Sequence, residues 1–119
     1  MKRHALVATI ILSCVSHNTF AITPAADVEV QKLLHFVGKS GCTFIRSGSN
    51  YTATQAQEHL TMKFSKARDK ISSTEDFINE VASKSYMSGK AYQILCPQSA
   101  QQPTGAWLNA ELKRLRNNK

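Results

Sequence analysis

A small α+β domain, built as a two-stranded antiparallel ribbon packed with about four helices in the order α-β-α-α-β-α, is predicted by three observations. Apolar residues recur at helical spacing in four separate segments. Two short β-prone runs, Cys42 to Arg46 and Ala91 to Cys96, each carry a cysteine at one end. The N-terminal stretch reads as a secretory leader, and removing it turns three cysteines into a pair, Cys42 and Cys96.

The leader has a basic start at Lys2 and Arg3, an apolar run from Ala5 to Leu12, and a polar stretch ending Thr19-Phe20-Ala21, after which cleavage is expected. Its apolar run is about half the length that spans a bilayer, and no later segment is apolar enough to do so. The alternative is a lipoprotein box at Ile11-Leu12-Ser13-Cys14, which would leave Cys14 acylated. Leu12 is unusual in such a box, and the leader before it would be very short. Cleavage after Ala21 leaves residues 22–119, enough for one domain. It also lowers the formal charge from +7, leaving 13 basic against 8 acidic residues. Such a balance bears on solubility and nonspecific attraction, and most simply describes a solvated surface.

The first helix is expected from Pro24 to Ser40, with Val30, Leu33, Leu34 and Val37 on one face and Gly38 and Gly41 near its end. The first strand is closed by Ser47-Gly48-Ser49-Asn50, which has turn composition. Between Thr52 and Ile71 the residues Ala53, Ala56, Leu60, Phe64, Ala67 and Ile71 step by three or four and make one apolar stripe. Beside it His59, Lys63, Lys66 and Lys70 follow the same spacing and should form a basic line. Ser73 and Asp76 have capping-box spacing and open a short third helix holding Phe77, Ile78, Val81 and Ala82. After the second strand, stopped by Pro97, a polar loop from Gln98 to Gly105 leads to a last helix from about Ala106 to Arg116. That helix should bury Trp107, Leu108, Leu112 and Leu115 and place Lys113, Arg114 and Arg116 where cations favour its C-terminus.

A pair of cysteines in a small exported domain is most simply a disulfide, because the compartment oxidises thiols and a modest core benefits from a staple. With Cys42 opposite Cys96 in an antiparallel pair, Phe44 faces Ile94 and Arg46 faces Tyr92, all on one side of the ribbon. A Cα separation above about 7 Å would exclude the bond.

Several segments taken in order resemble the YfeK-like family of small exported bacterial proteins. They are Phe44-Ile45-Arg46-x-Gly48, Tyr51, Ala56-x-x-His59-Leu60-x-x-Lys63, Glu75-Asp76-Phe77-Ile78, Ala82-Ser83-Lys84-Ser85 and Ser88-Gly89-Lys90-x-Tyr92. The resemblance covers about Gly41 to Ile94, with Trp107-Leu108 in addition. It implies a periplasmic protein of Gram-negative bacteria in a family without an assigned biochemical function. The disulfide stands on the cysteines alone.

These segments converge on the strand ends and the helix beside them, which selects Arg46, Tyr51, His59, Lys63, Ser85, Ser88, Lys90 and Tyr92 as the candidate binding surface. The expected role is a noncatalytic binding or interaction module of the cell envelope. Its partner would be anionic: a protein, a lipid head group or a cell-wall polymer. A plain solvated face competes with that reading, as does a cross-strand Arg46–Tyr92 pair with a cation over a ring. The alternative function is a small periplasmic hydrolase or transferase using His59 as base with a hydroxyl at Tyr51, Ser85 or Ser88. A helix-border histidine more often makes a structural hydrogen bond. No metal is expected, since His35 lies on another helix and no Cys or acid completes a ligand spacing. The Ser83-to-Lys90 stretch lacks P-loop glycine spacing, and a turn using Gly89 for a positive backbone angle explains it with less. No cofactor is expected. Export and sparse aromatic interleaving argue against nucleic acid.

Overall fold

The computed structural model describes residues 21–118, together with residues 5 and 8–11; most of the expected leader, including Cys14, lies outside the described residues. Helix α1 (Pro24–Lys39) starts where Thr23 accepts a hydrogen bond from the Ala26 amide and Pro24 needs no amide partner. Its buried face is Ala26, Val30, Leu33, Leu34 and Val37. Strand β1 (Thr43–Arg46) turns through Ser47 and Gly48 into β2 (Ser49–Tyr51). Helix α2 (Ala53–Ala67) opens with a full capping box, Thr52 and Gln55 each bonding the other's backbone amide. Helix α3 (Thr74–Asp76) runs directly into a π-helical stretch, Phe77–Ala82. Strands β3 (Gln93–Leu95) and β4 (Gln102–Pro103) and helix α4 (Thr104–Asn117) complete the chain.

The α+β class and the four helices are as expected, but the strand number is not. The sheet has four strands in the order β2-β1-β3-β4, every pair antiparallel. Strand β2 hides in the predicted turn. Ser47 and Gly48, with φ of 51° and 80°, form a tight two-residue hairpin that pairs Arg46 with Ser49 and Phe44 with Tyr51. Strand β4 occupies two residues of the expected polar loop, with Gln102 opposite Ile94 and Pro103 opposite Gln93. Pro103 has no amide to donate and is confined to an edge. Strand β4 contributes no core side chain and β2 only the half-buried Tyr51 at the core's edge, so no alternation signals either.

The central register is the expected one: Phe44 lies opposite Ile94, and Cys42 is bonded to Cys96 with their Cα atoms 4.1 Å apart. Phe44, Tyr92 and Ile94 are buried with Cys42, while Thr43, Ile45 and Leu95 on the other face are not. This buried face meets Ala56, Leu60 and Phe64 of α2 in one core, with Phe44 edge-on to Tyr92 at 5.0 Å and Phe64 edge-on to Phe77 at 5.4 Å. The wider π spacing lets Phe77, Ile78, Val81 and Ala82 all enter it.

Two expectations of burial are corrected. Trp107 is only half-buried, stacked on Phe36 at 4.6 Å on the outside of the α1–α4 contact, and Leu115 is likewise half-buried. Lys63 is not part of a solvated basic line: it is buried, while Lys66 and Lys70 are exposed. Helix α4 is tied across the domain by Arg116, which grips both carboxylate oxygens of Glu29 at 2.9 Å and also bonds Glu75.

Candidate functional site

Three elements meet where β1 ends. Strand β1 delivers Arg46, the β2 edge delivers Tyr51, and α2 delivers His59 and Lys63 one turn apart. The segment before β3 supplies Tyr92, whose amide donates to the Ser83 carbonyl at the foot of the turn between 84 and 91. An isolated antiparallel bridge between Lys84 and Ala91 closes that turn, and Gly89 has the positive φ expected of it, 68°.

Arg46 is the hub. One guanidinium nitrogen lies 3.1 Å from His59 Nε2 and the other donates to the Tyr51 hydroxyl at 3.3 Å, with the Tyr51 ring beneath the guanidinium at 5.3 Å. Arginine only donates, so His59 Nε2 accepts and the ring proton sits on Nδ1. Burial first, then the nearby Arg46 and Lys63 charges, hold the imidazole below its ordinary range, which keeps it neutral. The expected cation over Tyr92 is not Arg46. Tyr51 takes Arg46 because β2 lies beside β1, a neighbour that a two-stranded ribbon lacks.

Lys63 fills the place beside Tyr92. Its Nζ donates to the Tyr92 hydroxyl and to the Lys84 carbonyl, both at 2.9 Å, and sits over the Tyr86 and Tyr92 rings at 4.5 and 4.6 Å. Burial, aided by Arg46, pushes its pKa down to about 8. Burial raises that of Tyr92 in turn. Among the described residues neither Arg46 nor Lys63 has a carboxylate within ion-pair distance.

Two open cavities flank this cluster and share Arg46, His59 and Met62. One, about 320 Å³, is walled by Phe44, Tyr51, Ala56 and Glu58. The other, about 580 Å³, runs along α2 past Lys63, Lys66 and Lys70 to Ser85, Tyr86 and Met87, with Glu80 as its acid. Of the residues selected from sequence, Arg46, Tyr51, His59, Lys63 and Tyr92 therefore come together, and Ser85 lines the second cavity. Ser88 and Lys90 line neither. They belong to the exposed turn, where the Ser88 hydroxyl accepts from the Lys90 amide. Met62, Tyr86 and Met87 were not selected, although Tyr86-Met87 is an apolar pair inside a small, polar stretch.

The chemistry available is binding of negative charge beside aromatic and thioether surface. The lone pair through which His59 would act as base is occupied by Arg46, and no hydrogen bond joins His59 to a hydroxyl among the described residues. No group of three or more His, Cys, Asp or Glu residues that could hold a metal occurs among the described residues, and none of their helices is long and apolar enough to cross a membrane.

Residues 24–116 match DUF5329, a family of unknown function. The chain belongs to that family. The DUF5329 match spans the domain from the first residue of α1 to its clamp residue Arg116. The DUF5329 chain is also similar to the uncharacterized protein YfeK of Salmonella typhimurium, 39% identical over 54 residues. That similarity covers 45% of each chain, so the match spans less than half the length of its relative. No solved structure matches.

Proposed function

We propose that this DUF5329 domain is a noncatalytic module of the bacterial cell envelope that binds an anionic partner around Arg46. Residues 1–21 would direct it to the periplasm. The observation that carries the reading is the gathering of Arg46 and Lys63, on either side of a neutral His59, with no ion-paired carboxylate at the mouth of two cavities. Desolvated cations left unpaired are costly, and an incoming anion relieves that cost. The occupied Nε2 of His59 speaks against the hydrolase alternative.

The test is capture from periplasmic and envelope fractions with wild-type protein beside Arg46→Gln, which keeps a hydrogen-bonding side chain and removes the charge. An acidic partner retained by the wild type and released by the variant supports the reading; equal retention by both overturns it. Export is tested separately by fractionating cells that carry the full chain or a chain without residues 1–21. Only the full chain should reach the periplasm.

A further inference from the structure

The turn beside Lys63 carries an unusual tip. Met87 is 99% exposed and Tyr86 62% exposed, and across from them on α2 Met62 is 48% exposed. Five large apolar side chains are exposed between residues 21 and 118, and these three line one cavity while Val28 and Leu95 do not. Scattered single apolar residues need no explanation, but a cluster does. The same cavity is lined by Lys63, Lys66 and Lys70 against the one carboxylate of Glu80, and Lys84 and Lys90 stand exposed at the feet of the turn. Lys66, Lys70, Lys84 and Lys90 enter no ion pair among the described residues.

An apolar tip ringed by free ammonium groups is complementary to a layered partner, negative at its surface and apolar just beneath. We propose that this face docks on an anionic phospholipid surface. Tyr86 and Met87 enter the headgroup boundary, and Lys66, Lys70, Lys84 and Lys90 meet lipid phosphates. Lysine suits this role because its long stem lies along apolar surface while its head stays hydrated, and tyrosine favours the interface for the same reason. Four exposed lysines without ion pairs among the described residues match a fluid array of headgroups better than the fixed charge pattern of a folded acidic protein. Helix α2 does not insert; its Lys66 and Lys70 bring the surface to rest against it. The proposal rests on the anion-binding reading above and names its partner class.

The test is flotation of protein expressed from the full chain, with its mass recorded. The two vesicle preparations are phosphatidylcholine alone and phosphatidylcholine with about one third phosphatidylglycerol. Binding is expected on the anionic vesicles only and should weaken as salt is raised. Lys66→Gln with Lys70→Gln should lower partitioning about twenty-five-fold, since each lysine near the surface contributes about five-fold. Met87→Ser should weaken it about five-fold with the salt dependence unchanged. All three positions are exposed, so folding is preserved, and variants share whatever leader the wild type carries. Equal binding to neutral vesicles, or full retention by the double variant, overturns the proposal. Immobilised polyglutamate, with Arg46→Gln as the control, separates the two readings: polymer bound in an Arg46-dependent way by a protein that binds no vesicles overturns the lipid assignment and leaves the anion-binding reading standing. Failure on both overturns both.

Discussion

Replacing Lys63 by methionine should change how stability depends on pH, and the size of that change follows from where Nζ sits. The ammonium lies between two tyrosine rings, the residue only 7% exposed, with two neutral acceptors and, among the described residues, no carboxylate in ion-pair range. Burial favours the neutral amine, so its folded pKa is about 8 against an ordinary 10.5. Below pH 8 folded and unfolded chains both carry the proton, and the folded chain bears the full desolvation penalty. Between about 8 and 10.5 the folded chain has released the proton while the unfolded chain still holds it, so stability rises with pH across that window. Integrated from pH 7 to 9.5, this is worth about 2 kcal/mol to the wild type. Methionine has similar length and no charge, so Lys63→Met lacks the gain whatever its stability at pH 7. Urea unfolding of both proteins at a series of pH values, with the disulfide intact, reads the difference directly. Two curves that stay parallel from pH 7 to 9.5 would refute the argument and mean that the ammonium is solvated in the fold.

Three further outcomes are expected. Replacing Cys42 and Cys96 with alanine should lower the unfolding free energy by about 4 kcal/mol on the chain-entropy account of a closed loop, with a sequence separation of 54; a loss under 1 kcal/mol in urea titration contradicts it. In Arg46→Met the His59 pKa should rise toward the ordinary value without reaching it, because burial and Lys63 still depress it; an NMR titration showing no rise would remove Arg46 as a cause. Arg116→Ala frees α4 from Glu29 and Glu75 and should cost about 1 kcal/mol, seen as faster amide exchange confined to the last turns of α4.

Much of this fold is written in side-chain periodicity. The stripe from Ala56 to Ile71, the face of α1 and the Cys42–Cys96 register were legible because each is a core pattern with a fixed repeat. Strands β2 and β4 were not, since Ser49, Asn50, Gln102 and Pro103 pair through backbone atoms and bury no core side chain. The site was legible in part for the same reason. Arg46, His59 and Lys63 lie on elements whose direction follows from the pattern, and Tyr92 stands one residue before β3 in the register set by the cysteines. Tyr51 lies on the unforeseen β2, and only its place just beyond the turn was readable. Ser88 and Lys90 lie in a turn whose course does not. Helical spacing alone placed Lys63 with its exposed neighbours Lys66 and Lys70. Its burial depends on Tyr86 and Tyr92 closing over it from more than twenty residues away, a long-range arrangement that no local repeat records.

The Cys42–Cys96 crosslink also decides how the molecule responds to tension. Pulled from its two ends, the chain can lose α1 and α4, which lie outside the loop closed by Cys42 and Cys96. The segment between the cysteines, with β1, β2, α2, α3 and the basic cluster, bears no load while the bond holds. At 54 residues of separation, that withholds roughly 190 Å of extended chain. Force applied at the termini therefore strips the outer helices and leaves the charged face on an unstretched ring.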